Sequence, residues 1–146
     1  MRSTRIVFLC LIASLVASVV GCGSGGPQLG RVKGKVTVDG KPVPRASITF
    51  FPDFQGSTSY GVTDNNGNYE LMFTDTDHGA MVGKFHVGIA SKKMARDEMP
   101  DGMKPEEFTK MNAEFVEIPK KYRGERAFEV EVKAGSNTIN LEMDSK

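Results

Sequence analysis

The chain is poor in the residues that staple small domains or bind metals: 146 residues hold two cysteines, two histidines and no tryptophan. Two cysteines cannot build a disulfide-rich scaffold or a four-cysteine zinc site. An excess of one charge is missing too, since 19 basic and 18 acidic side chains give a net charge of +1. The clustered basic footprint of a nucleic-acid-binding domain is therefore absent. The uncharged stretch Ile6–Val20 has 15 residues, short of the roughly 20 that a spanning helix needs. Punctuation is plentiful: 16 glycines and 7 prolines predict many short elements joined by turns. A composition of 39% hydrophobic and 25% charged residues suits one globular domain.

Arg2 and Arg5 ahead of the apolar stretch make residues 1–21 a signal peptide. Val19-Val20-Gly21-Cys22 resembles the bacterial lipobox, with Val19 where Leu is usual. The resemblance implies cleavage before Cys22, diacylation of its thiol, and attachment to a membrane through the N-terminal lipid. Cys10 leaves with the leader, so the mature chain has no internal disulfide. Loss of Arg2 and Arg5 takes the basic residues from 19 to 17 against 18 acidic, and acyl burial needs no polybasic patch. Residues 22–30, with Gly23-Ser24-Gly25-Gly26-Pro27, cannot bury a core and read as a lipidated Gly/Ser tether. Gly23 stands where Gram-negative lipoproteins kept in the inner membrane have Asp. The expected location is the cell envelope, at the outer membrane in preference to the inner.

From residue 31 to 146 the apolar residues recur with a period of two, as on one face of a half-buried strand. Val32, Gly34, Val36 and Val38 form one such row, and Ala46, Ile48 and Phe50 a second. Tyr69, Leu71 and Phe73 repeat the pattern, followed by Phe85, Val87 and Ile89, by Phe128, Val130 and Val132, and by Ile139, Leu141 and Met143. A weaker strand over Ser57–Thr63, with Tyr60 and Val62 inward, makes seven. Asp39-Gly40 and Asn65-Asn66-Gly67 are hairpin signals, because these residues tolerate positive φ. Ala134-Gly135-Ser136-Asn137 fits a four-residue loop. The predicted fold is all-β: a seven-stranded antiparallel β-sandwich whose two inner faces form one core.

Gly34-x-Val36-x-x-Asp39-Gly40-x-Pro42-Val43-x-x-Ala46-x-Ile48-x-Phe50 resembles the opening of the carboxypeptidase regulatory-like family. Thr63-Asp64-x-x-Gly67-x-Tyr69-x-Leu71 is similar to its second motif and Gly83-x-Phe85-x-Val87 to its third. Arg45 stands where Gly is common. The resemblance implies a transthyretin-like (prealbumin-like), Ig-like sandwich serving as an accessory, non-catalytic module, also found in small bacterial lipoproteins.

Catalysis is not signalled. His78 falls in a loop and His86 on an outward strand position, and no nucleophile sits in an elbow motif. Tyr122-Arg123-Gly124 resembles the closing motif of hydroxyisourate hydrolases, which share the transthyretin fold; that makes a small hydrolase the alternative reading. Here the motif is internal and Glu125 replaces the final Ser. Asp64-Asn65-Asn66-Gly67 and Asp75-Thr76-Asp77 lack calcium-loop spacing and read as side-chain-capped turns. A Lys to Asn isopeptide joining Lys33 or Lys35 to Asn137 or Asn140 is disfavoured, because alternation turns both lysines and Asn140 away from the core face. No cofactor and no metal is expected.

Residues 92–123 break the strand rhythm and form a long insertion with eight basic and seven acidic residues. Pro105-Glu106-Glu107 predicts a helix start, with Phe108, Met111 and Phe115 as an apolar stripe covering a sandwich edge. Met94, Met99, Met103 and Met111 read as gap fillers in preference to a copper site. The charged side chains Lys104, Glu107, Lys110, Lys121 and Arg123 are the candidate partner-binding residues. The expected partner is an envelope protein or a glycan, and not nucleic acid.

Overall fold

A computed structural model describes residues 26–146; the leader, Cys22 and residues 23–25 of the tether lie outside the described residues. The alternating stretches form ten strands: β1 (Leu29–Val38), β2 (Lys41–Pro42), β3 (Ser47–Pro52), β4 (Ser59–Val62), β5 (Asn68–Glu70), β6 (Ala80–Met81), β7 (Gly83–Ala90), β8 (Gly124–Val132), β9 (Gly135–Thr138) and β10 (Leu141–Met143). One α-helix, α1 (Pro105–Ala113), flanked by two single 3-10 turns, Arg96–Glu98 and Lys120–Tyr122, interrupts the series between β7 and β8. Among the described residues no helix is long and apolar enough to cross a membrane.

β1 is the hub of the first sheet. Along one side it pairs antiparallel with β6, β5 and β2 in turn, through Gly30 with Ala80, Gly34 with Tyr69, and Thr37 with Pro42. Along the other it pairs parallel with β9 and then β10, through Gly30 with Gly135 and Val36 with Leu141. The second sheet is antiparallel throughout, in the order β4-β3-β7-β8. Its inner face brings Ile48, Phe50, Phe85, Val87 and Val132 into one buried cluster with Val32, Val36 and Leu141 of the first sheet and Leu71 just beyond β5. Phe50 and Phe85 meet with ring centroids 5.8 Å apart, a tilted aromatic pair at the centre of the core.

Several expectations are revised. Ten strands replace seven, because β2, β6 and β9 are added to the predicted set. The first sheet is mixed: β9 and β10 run parallel to β1. β1 starts at Leu29, inside the stretch read as tether. The expected loop Ala134–Asn137 is largely β9, since the Asn137 side chain bonds the backbone of both neighbouring segments. Its Oδ1 accepts from Lys133 N at 2.9 Å, and its Nδ2 donates to Lys133 O at 2.7 Å and to Arg31 O at 3.2 Å. β4 keeps the expected period but reverses its phase: Ser59 is buried, while Tyr60 and Val62 are 44% and 61% exposed. A Cβ on Gly61 would lie 2.7 Å from Glu70 O, so only small residues fit on the inner face of β4. Phe73 falls in a turn, and Phe115 lies beyond the end of α1.

Two tight places require glycine or its equivalent. Asp39 (φ 50°) and Gly40 (φ 76°) form the mirror-image turn between β1 and β2. In β1, a Cβ on Gly34 would lie 1.7 Å from Ile139 O and 3.0 Å from the Tyr69 ring. Tyr69 covers that gap and its hydroxyl donates to Ile139 O at 2.8 Å; burial raises the pKa of its phenol.

Candidate functional site

The insertion leaves the end of β7, where Ala90 stands opposite Ser47 of β3, and returns to start β8 at Gly124. Polar fastenings hold it. Asn112, in the last turn of α1, accepts from Met94 N and donates to Met94 O, each at 3.0 Å. Ser91 Oγ donates to Val116 O at 3.0 Å, closing the neck of the segment. Lys93 lies 5.6 Å above the Phe115 ring, and Ile118 enters the core at 3% exposure. Ile118 follows no strand or helix period, and sequence reasoning missed it. Pro105 opens α1 as expected, with Glu106 and Glu107 in its first turn, but none of the helix's residues is buried. Phe108 and Met111 are half-buried, and the edge strand β4 takes its partner elsewhere, from Met72 through two backbone hydrogen bonds with Tyr60.

Beside this segment, at the end and outer face of the second sheet, runs a trough of three adjoining hollows, all of which Ala90 lines. One, of about 330 Å³, is bounded by Arg45, Ser47, Ser91 and Met94. The next, of about 350 Å³, includes Phe115, Glu117 and Arg123. A shallower one, of about 200 Å³, includes Thr49, Phe51 and Gly88. Small residues on β3 and β7 leave the space, and the insertion walls the first two hollows.

Arg45 is the least expected residue here. Its φ of 54° lies in the left-handed region, which explains why glycine suits this position and costs Arg about 1–2 kcal/mol. Its amide donates to Thr63 O at 3.1 Å and its guanidinium donates to Met111 O in α1. Thr63 beneath it is buried, with Oγ1 accepting from Ala46 N at 2.7 Å and donating to Val43 O at 2.6 Å. At the mouth of the hollow, Lys92 pairs with Glu98 at 2.6 Å. That bond, with a second from Ala95 N, holds the Glu98 carboxyl below its ordinary range.

The candidate partner-binding residues fall in two places. Lys104 precedes α1 as its N-cap, and Glu107 and Lys110 are exposed on the helix. Lys121 and Arg123 line a hollow of about 500 Å³ beside Ser145 and Lys146, which adjoins the one of about 350 Å³ through Glu117, Ile118 and Arg123, and both are engaged internally. Lys121 pairs with Asp144, which raises the lysine's pKa and lowers the aspartate's. Arg123 donates to Ile118 O at 2.9 Å and pairs with Glu117. Among the described residues no hydrogen bond or ion pair joins the two groups. Tyr122 stacks on Phe128 at 5.3 Å and donates to Asp144 at 3.1 Å.

The histidines are likewise occupied. His78 Nδ1 lies 3.2 Å from Glu70 and His86 Nε2 2.8 Å from Asp53. His86 is on the outer face, as its strand position predicts, yet it is only 9% exposed; its Nδ1 is buried without a hydrogen bond. The oxygens of Asp64 accept from Asn66 N, Asn68 N and Asn68 Nδ2, and Asp75 accepts from Tyr60 at 2.9 Å. Lys33, Lys35 and Asn140 line an open basin of about 520 Å³, and the Asn140 amide oxygen accepts from Lys35 N at 3.1 Å. Among the described residues no three His, Cys, Asp or Glu side chains converge as a metal site would require.

Architecture and site thus define a mostly-β protein of two sheets sharing one core, with a helix-bearing insertion framing a surface trough. Comparison with protein-family models, curated proteins and solved structures found no match.

Proposed function

We propose that this chain is a lipid-anchored, non-enzymatic β-sandwich module of the cell envelope. On this reading it is of the carboxypeptidase regulatory-like, transthyretin-like type, and it binds a protein or glycan partner through the trough beside the insertion. Cys22 carries the lipid and the outer membrane is the site of attachment. The observation that carries the partner-binding reading is the insertion itself. Asn112 ties α1 to Met94 within the segment, and bonds from Arg45 and Ser91 hold its roughly 30 residues against the sheet end, where they enclose space without adding α1 to the core. Long ordered insertions of this kind are commonly functional.

The hydrolase alternative needs Tyr122 and Arg123 directed at a substrate. Both are spent on Asp144, Glu117 and Ile118, and that supports the non-enzymatic reading. Two measurements test it. Full-length protein is expected to show no hydroxyisourate turnover, and measurable turnover would overturn the reading. Cys22→Ala is expected to abolish fatty-acid labelling of the cell-associated protein; undiminished labelling would remove the anchor.

A further inference from the structure

Arg45 is held in a backbone conformation that glycine adopts without strain, half-buried at the edge of a hollow of about 330 Å³. Among the described residues no carboxylate pairs with it. The carbonyl of Met111 takes one of its hydrogen bonds, and a guanidinium has five N–H donors. A half-buried cation is costly unless an anion meets it. The other charges on the hollow, Lys92 and Glu98, neutralise each other at 2.6 Å, so the lining carries one net positive charge and it belongs to Arg45. Beside it stands the hydroxyl of Ser47, the Ser91 hydroxyl being donated to Val116 O, while Ala90 and Met94 supply an apolar wall. A planar fork, one flanking hydroxyl and an apolar wall match a carboxylate attached to a short apolar group.

We propose that this hollow is a carboxylate-binding site, with Arg45 as its anion-recognising residue. The ligand is a small monocarboxylate or the terminal carboxylate of a peptide, its oxygens on the guanidinium and its carbon atoms against Ala90 and Met94. The site deepens the partner-binding reading and rests on it, because it supplies the one unneutralised charge in the trough's first hollow. Strain at Arg45 then serves the ligand as well as the hydrogen bond to Met111 O in α1.

The test titrates hexanoate and its neutral isostere hexanamide into the full-length protein, followed by amide chemical shifts and by calorimetry. Hexanoate should saturate and shift the amides of Ala90, Ser91 and Met94, and hexanamide should bind at least about tenfold more weakly. Arg45→Gly suits the backbone and removes the charge, so it should keep the fold and weaken hexanoate about tenfold or more. Arg45→Asn, which also tolerates positive φ, is the second variant should the first not fold. Acetyl-Ala-Ala with a free carboxylate, set against its amide, distinguishes the sources: competition with hexanoate assigns chain ends, and its absence assigns small acids. Equal binding of acid and amide, hexanoate binding unchanged in both variants, or no saturation would overturn the proposal. An envelope partner that Arg45→Gly still captures would leave the module standing and overturn this site. Hexanoate binding without any envelope partner would do the reverse.

Discussion

Thr63 holds the crossing of two turns with one oxygen. Its hydroxyl serves the amide of Ala46 and the carbonyl of Val43, all within the core margin. Thr63→Val keeps the shape and strands both backbone groups, so it should cost about 2 kcal/mol or more in urea unfolding, whereas Thr63→Ser should cost much less. Gly34 is limiting in the opposite sense, through space. Gly34→Ala places a methyl group on Ile139 O, and about 3 kcal/mol or more should be lost, read as the same unfolding midpoint or as failure to accumulate soluble protein. Both residues stand in the quoted sequence motifs, and so does Gly67, whose φ of 77° closes the Asp64 turn. The sequence therefore marks the positions under backbone constraint. It does not reveal what presses on them, because Ile139 lies in the link between β9 and β10, 105 residues along the chain, and no local pattern reports that approach. Arg45 is the counterpart: its departure from glycine is visible in sequence, while its carbonyl partner in α1 and its unneutralised charge are not.

At the scale of elements, periodicity located most strands because half-burial enforces it, but it could not set the phase of β4. Tyr60 and Val62 are the larger residues there, and size ordinarily turns inward. The backbone of Glu70 takes that space, so the smaller Ser59 and Gly61 face in. β9 was illegible for a different reason: its ladder to β1 is held by the Asn137 amide, without apolar alternation. The helix start was legible from Pro105 and its acids, and the trough was not, since it depends on where Asn112 and Ser91 tie the insertion down. Asn112→Ala should release α1. Amide exchange in Pro105–Ala113 should quicken, with a local loss of about 1–2 kcal/mol, while the global melting temperature moves little. β8 forms one margin of the second sheet, nine residues long, and exposes Glu125, Glu129 and Glu131. Antiparallel self-pairing would bring such charges together. Replacing Glu129 and Glu131 with Thr should raise self-association in sedimentation.

For the whole molecule, acid is the condition that loosens it. The carboxyls of Asp39, Asp64 and Asp144, ordinarily at 3.8, and of Glu98, ordinarily at 4.5, are all lowered by the hydrogen bonds they accept in the fold. Groups whose folded pKa is depressed stabilise fully above the ordinary value and lose that contribution as pH falls through the folded one. The unfolding midpoint should therefore hold from neutral pH to about pH 5 and decline below about 4.5, and Asp64→Asn should flatten part of that decline. The parallel pairing of β1 with β9 and β10 bears on the order of events in time. Lys35 and Asn140, bonded across that seam, are 105 residues apart, so the first strand has a partner on that side only when residues 135–143 are present. Non-local closures of this kind slow folding to milliseconds or longer. A chain ended after Lys133 should remain largely unfolded by circular dichroism. Until β9 and β10 have been made, a growing chain keeps one side of β1 open, and completion of the first sheet waits for residues 135–143.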